Sequence, residues 1–131
     1  VISVGITVGA RYPAHCTATG RVLLAAQPKE HWPGIVQNIP LTKLTERTVA
    51  NRTEFRKVLE DVRAKGWSLV DQELETGLIS IAVPLYNSAG GLVGAVNVGA
   101  PIVRMTPKDL VDHVLPKLQE TVGHISQALK R

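Results

Sequence analysis

The sequence predicts an α+β domain, an antiparallel sheet flanked by helices, from three observations. Two strand-like runs, Leu78–Tyr86 and Leu92–Val98, are joined by Asn87-Ser88-Ala89-Gly90-Gly91. That turn is too short for a parallel crossover, so the two runs must pair antiparallel. Segments with helical periodicity stand before, between and after the strands, where they can cover the sheet. The 131 residues are 44% apolar and 20% charged, enough for one compact domain with a real core and too few to expect two.

Each element has its own local reason. Residues 1–9 alternate, with Ile2, Val4, Ile6 and Val8 on one face, and read as a half-buried strand. Gly9 to Pro13 break it. A helix follows from about Thr17 to Ala26, with Ala18, Val22, Leu23 and Ala25 as its apolar positions. Gly20 inside that helix costs about 1 kcal/mol relative to Ala, so some close approach must require it. Gln27-Pro28 ends the helix, and Pro28 suits the first turn of a short second one. Trp32-Pro33-Gly34 is expected to interrupt again, and residues 37–48 read as an ordered loop. Asn51 caps a further helix, with Glu54 three residues on completing a capping-box pattern. Its apolar stripe is Phe55, Val58, Leu59 and Val62, and Gly66 stops it. Trp67 to Asp71 is a third strand before the hairpin. Thr106 caps the last helix, with Pro107 in its first position and Asp109 in its first turn. Val111, Val114, Leu115, Leu118, Val122, Ile125 and Leu129 lie along its apolar stripe, and Pro116 should bend it.

Composition narrows the class of function. One Cys excludes an intramolecular disulfide and fits a reducing compartment. No apolar run approaches the roughly 20 residues that cross a bilayer, so no membrane partner is expected and the cytoplasm is the expected location. The formal charge of +4 could attract nucleic acid. Here, however, Arg47, Arg52, Arg56, Lys57, Arg63 and Lys65 are interleaved with Glu46, Glu54, Glu60 and Asp61, the pattern of a solvated helix face. The chain opens in strand-like sequence without Met, which suggests part of a longer protein.

The candidate chemistry is that of a binding pocket. His15-Cys16 could supply a thiol nucleophile, but sequence neighbours point apart and nothing in the sequence orients His15. His113 and His124 lie about 16 Å apart along one helix at 1.5 Å per residue, too far to share an ion, and no metal or other cofactor is expected. Gly90-Gly91-x-x-Gly94 sits in a hairpin turn, outside the context of a phosphate loop. Ser80 lacks a nucleophile elbow. It does share a strand face with Leu78 and Ala82, and across the hairpin Ala95, Asn97 and Gly99 share a face in the same way. The unpaired N–H groups near Thr17, Ala18 and Thr19, with the helix dipole, favour an anion. Together these offer a site for a small carboxylate, the plain alternatives being tight packing between the strands and a Thr17 that only caps its own helix.

The ordered segments resemble the effector-binding domain of the IclR family of bacterial transcriptional regulators. Pro13, His15, Gly20, Arg21, Leu24 and Ala25 match its Pro-x-His-x-x-x-x-Gly-(Lys/Arg)-x-x-Leu-Ala segment. Leu44, Thr45 and Thr48 match a Leu-Thr-x-x-Thr loop. Glu73, Gly77, Ser80, Ile81, Ala82 and Pro84 match a Glu-x-x-x-Gly-x-x-(Ser/Cys)-(Ile/Leu)-Ala-x-Pro strand. Pro101, Arg104 and Thr106 match the closing Gly-Pro-x-x-Arg-x-Thr, with Ala100 in place of the usual Gly. Asn97 and Gly99 stand where the family often has serines.

The resemblance implies a GAF-like (profilin-like) fold and residues 1–131 as one ligand-sensing domain, shortened on its N-terminal side. It implies a small carboxylic-acid effector, DNA contacted only through a separate winged helix-turn-helix, and a homodimer or homotetramer. The effector-binding residues carried over are Ala18, Thr19 and Gly20 at the helix start, Asp71, Leu78 and Ser80, and Asn97 and Gly99. The wording around Arg11–Ala25 is most similar to the branch that controls aromatic-acid degradation through protocatechuate and β-ketoadipate. A Cys16-dependent enzyme and a ligand-free oligomerisation domain are the competing readings.

Overall fold

The computed structural model describes residues 8–129. The strand expected over residues 1–9 therefore lies outside the described residues, except for Val8 and Gly9, which form a turn. The described elements are α1 (Ala18–Ala25), a 3-10 turn (Lys29–His31), α2 (Trp32–Asn38), α3 (Arg52–Lys65), β1 (Ser68–Asp71), β2 (Leu78–Tyr86) and β3 (Leu92–Pro101). A final helical run comprises α4 (Pro107–Asp109), a π turn (Leu110–Val114) and α5 (Leu115–Ala128).

The sheet is antiparallel in the order β1-β2-β3, so the fold is α+β as the hairpin and helix pattern require. Strand alternation sorts the side chains into two faces. Val70 lies opposite Ser80, and Ser80 opposite Gly99, while Ala82 faces both Ser68 and Asn97. That face packs through Val70 and Ala82 against Ala18, Val22 and Ala25 of α1, and Phe55, Leu59 and Val62 of α3 close the same core. Ile79, Ile81, Val83 and Ala100 point the other way, onto Leu110, Leu115 and Leu118 of the C-terminal helix. The sheet is thus the middle of three layers. The two cores are separate, the first satisfying the apolar stripes of α1 and α3 and the second that of the C-terminal helix.

Local signals account for the element ends. Asn51 accepts from the Glu54 N–H at 3.0 Å, and Gly66 closes α3 in the left-handed region at φ 81°. Thr106 and Asp109 form a reciprocal capping box. Three expectations change. Trp32-Pro33-Gly34 begins α2 where an interruption was expected. Pro33 falls in the first turn, where no N–H is needed, and Trp32 is driven inward, fully buried with its indole N–H on the Gln27 carbonyl at 3.2 Å. At Pro116 the departure from α geometry is a π turn just before it, in which the Leu115 N–H reaches back to the Leu110 carbonyl. The wider turn relieves the clash a proline ring makes with the carbonyl four residues earlier. β3 also runs three residues past Val98, to Pro101.

Candidate functional site

Gly20 sets the geometry of the α1 start. A Cβ there would lie 2.4 Å from both the Cα and the carbonyl oxygen of Ala14, so the preceding loop can fold onto the helix only because the side chain is missing. Thr17 fastens the same junction. Its hydroxyl donates to the Pro13 carbonyl at 2.9 Å and accepts from the Gly20 N–H at 3.2 Å. The Arg21 N–H bonds to the Thr17 carbonyl. Among the described residues the N–H groups of Ala18 and Thr19 take no partner, which leaves two donors at the positive end of the helix dipole.

Those donors border a cavity of about 730 Å³ between α1 and the sheet, inside the range of roughly 300–1,000 Å³ usual for small-molecule sites. Thr17, Ala18, Thr19, Gly20 and Leu23 line it from the helix side, and Leu78, Ser80, Asn97 and Gly99 from the sheet. Tyr12, Val70 and Leu74 complete its apolar flank. The hydroxyl of Ser80 and the side-chain amide of Asn97 form no hydrogen bonds with other described residues. Among the described residues no Asp, Glu, Lys, Arg or His lines the cavity. Two smaller hollows, of about 200 and 380 Å³, lie against α3.

Seven of the eight residues expected to bind an effector therefore border one space. Asp71 is the exception. It pairs with Ile79, on the face turned toward the C-terminal helix. Its carboxylate accepts from Arg47 at 2.6 Å and from the Gln72 side chain at 3.1 Å. Leu23, Leu74 and Tyr12 line the cavity without having been singled out. Leu23 was legible in principle, four residues after Thr19 on the same helix face, whereas a loop position such as Leu74 leaves no periodic signal.

The family-like motif residues form a strut behind the cavity. Arg21 donates to both carboxylate oxygens of Glu73, at 2.9 and 2.6 Å, and to the His15 carbonyl at 2.8 Å. Glu73 also accepts from the Val49 N–H, and its carbonyl accepts from Thr48. Thr45 donates to the Gln72 carbonyl, and the His15 ring meets the Thr42 carbonyl at 2.8 Å. Three distant loops are thereby fixed around one buried ion pair. Cys16, fully buried beside this network, has its thiol pushed up to about 11 by burial, with the Arg21 charge opposing. It is a neutral thiol at pH 7 and a poor nucleophile.

Residues 1–127 match the family model described as the C-terminal domain of bacterial transcriptional regulator IclR. The chain is 42% identical over 118 residues to the Pca regulon regulatory protein of Pseudomonas putida, covering 90% of this chain and 40% of that protein. It superposes with a TM-score of 0.88 and 35% identity on the inducer-binding domain of the PobR transcription factor from Acinetobacter, a double mutant in complex with 3-hydroxybenzoic acid. That match covers 92% of this chain and 71% of the other. The structure of RHA06195 from Rhodococcus sp. RHA1 matches with a TM-score of 0.92 at 40% identity, over 98% of this chain and 53% of that one. The chain spans less than half the length of the curated relatives it matches.

Proposed function

Because the chain belongs to the IclR C-terminal family of bacterial transcriptional regulators, we propose that it senses a small organic acid and so controls DNA binding by another part of a regulator. The observation that carries this reading is the cavity that, among the described residues, has no charged lining, the unpartnered amides of Ala18 and Thr19 at one end and Ser80 and Asn97 on its sheet wall. The effector's carboxylate docks on the amides, where helix polarity favours an anion. Its polar tail meets Ser80 and Asn97, and Leu23 and Leu78 enclose its body. The Acinetobacter relative, whose inducer-binding domain is known in complex with 3-hydroxybenzoic acid, supports a ligand of this kind.

The domain acts by binding alone, as a homodimer or homotetramer in the cytoplasm, and needs no cofactor. Its relatives are transcriptional regulators, and a buried neutral Cys16 without an orienting base offers no covalent catalysis. The effector can shift the DNA-binding equilibrium only by the difference between its affinities for the two states. Thermal unfolding with and without small carboxylic acids tests the reading. A binding acid at 100 times its Kd stabilises the fold by about 2.7 kcal/mol. No shift with aromatic or aliphatic acids at millimolar concentration would rule it out.

A further inference from the structure

The hollow of about 380 Å³ between α3 and β1 is lined by a residue whose hydroxyl has nothing to bond to. Ser68 shares a strand face with Val70, so its side chain turns toward α3, and it is only 1% exposed. Among the described residues its hydroxyl is the one buried side-chain N or O without a hydrogen-bond partner. Leaving such a group unsatisfied is costly, and a bound water or ligand is the usual remedy. Arg21 lines the same hollow. Three N–H groups of its guanidinium go to His15 and Glu73. A guanidinium has five such donors, so two remain, on a side chain that is 4% exposed. Two exposed lysines complete the polar lining. Lys65 pairs with Asp61 at 3.0 Å and lies over the Trp67 ring. Lys57 has no acidic partner among the described residues. The Arg21–Glu73 and Lys65–Asp61 pairs are each neutral, so the charge left over at the hollow is that of Lys57.

We propose that this hollow is a second ligand site, for a small oxyanion, a carboxylate or a phosphate, separate from the cavity between α1 and the sheet. The inference does not depend on the sensing function proposed above. Arg21 and Gly20 are neighbours on α1, yet they line different spaces. An oxyanion brings acceptors to a place that has only donors to spare, the Ser68 hydroxyl and the two remaining Arg21 N–H groups, and charge-assisted bonds of this kind are the strong ones. It also meets the unpaired Lys57 charge. A neutral ligand or a water satisfies the hydroxyl and leaves that charge unanswered. Val58, Val62 and Leu69 form apolar walls that suit a short carbon stem behind the charged group.

Calorimetric titration of the full-length protein with inorganic phosphate and with acetate, in chloride buffer of constant ionic strength, tests this, with acetamide as the uncharged control. One or both anions are expected to bind, which identifies the group preferred, and acetamide is not. Ser68→Ala should weaken the anion about 10-fold or more, the scale of a hydrogen bond to a charged group. Without anion it should keep or raise the Tm, because no hydrogen bond is lost. Lys57→Gln, at an exposed position that the fold does not use, should weaken binding about two- to fivefold, and Lys57→Arg should restore it. Hydrogen exchange with bound anion should slow over residues 66–69 and not over 17–20. Uptake of neither anion would overturn the site, as would binding that Ser68→Ala and Lys57→Gln both leave unchanged. Acetamide binding as well as acetate would show that the hydroxyl needs only a neutral partner and would refute an anion site. Protection at 17–20 in place of 66–69 would put the anion in the α1–sheet cavity, overturning this second site while leaving acid sensing intact.

Discussion

Arg21 and Glu73 show how one pair of side chains can hold the cavity without touching what enters it. Their charges are desolvated, with side-chain exposures of 4% and 12%, and Glu73 collects a further backbone N–H from Val49. Removing one partner leaves the other charged and buried. Glu73→Ala is therefore expected to cost about 3–5 kcal/mol, read from the urea midpoint. The double replacement Arg21→Met with Glu73→Leu should cost much less, because no orphan charge remains. Cys16 is the second residue with a measurable signature. Burial raises its thiol from 9.0 to about 11, so the folded state prefers the neutral form more strongly than the unfolded chain does. This contribution to stability is complete below pH 9 and is lost as the pH rises toward 11. Iodoacetamide at pH 7.5 should label the folded protein far more slowly than the urea-unfolded chain. Equal rates would show that Cys16 is exposed or activated.

At the scale of elements, strand parity decides which polar residues share the cavity. Asp71 is adjacent to Val70, yet one step along a strand turns a side chain to the other face. Its pair with Arg47 is half in solvent, with side-chain exposures of 34% and 58%, and such pairs contribute little. Asp71→Asn should lower stability by less than about 1 kcal/mol and leave effector affinity unchanged. A loss of affinity in calorimetry would mean that Asp71 turns toward the ligand. The same parity explains what was legible in the sequence. Leu78, Ser80, Asn97 and Gly99 could be grouped by alternation alone, and the caps at Asn51, Gly66 and Thr106 mark helix ends by chemistry that acts within four residues. The Arg21–Glu73 pair joins positions 52 residues apart, and no local pattern announces such a contact. Trp32-Pro33-Gly34 misleads because a proline that breaks a helix interior is harmless in its first turn, and position in the helix is settled only when Trp32 finds its core.

Over the whole molecule the sheet is a shared wall, with the cavity on one face and the C-terminal helix on the other. β2 is hydrogen-bonded on both edges, and Ile79, Ile81 and Ala82 are fully buried, so its amides should exchange with solvent most slowly. The α1 start is the opposite case, because Ala18 and Thr19 have N–H groups with no partner among the described residues. An acid docking there would occupy those donors and restrain the loop that leads to them, while β2 has little protection left to gain. Hydrogen exchange with saturating 4-hydroxybenzoate is therefore expected to slow at residues 17–20 and 97–101 and to leave Ile81 and Ala82 as they were. A response carried through the sheet would appear as a secondary change in Leu115 and Leu118, which pack on its far face. Slowing confined to α3, beside the two smaller hollows, would place the ligand outside the α1–sheet cavity and refute the docking geometry even if the protein is stabilised.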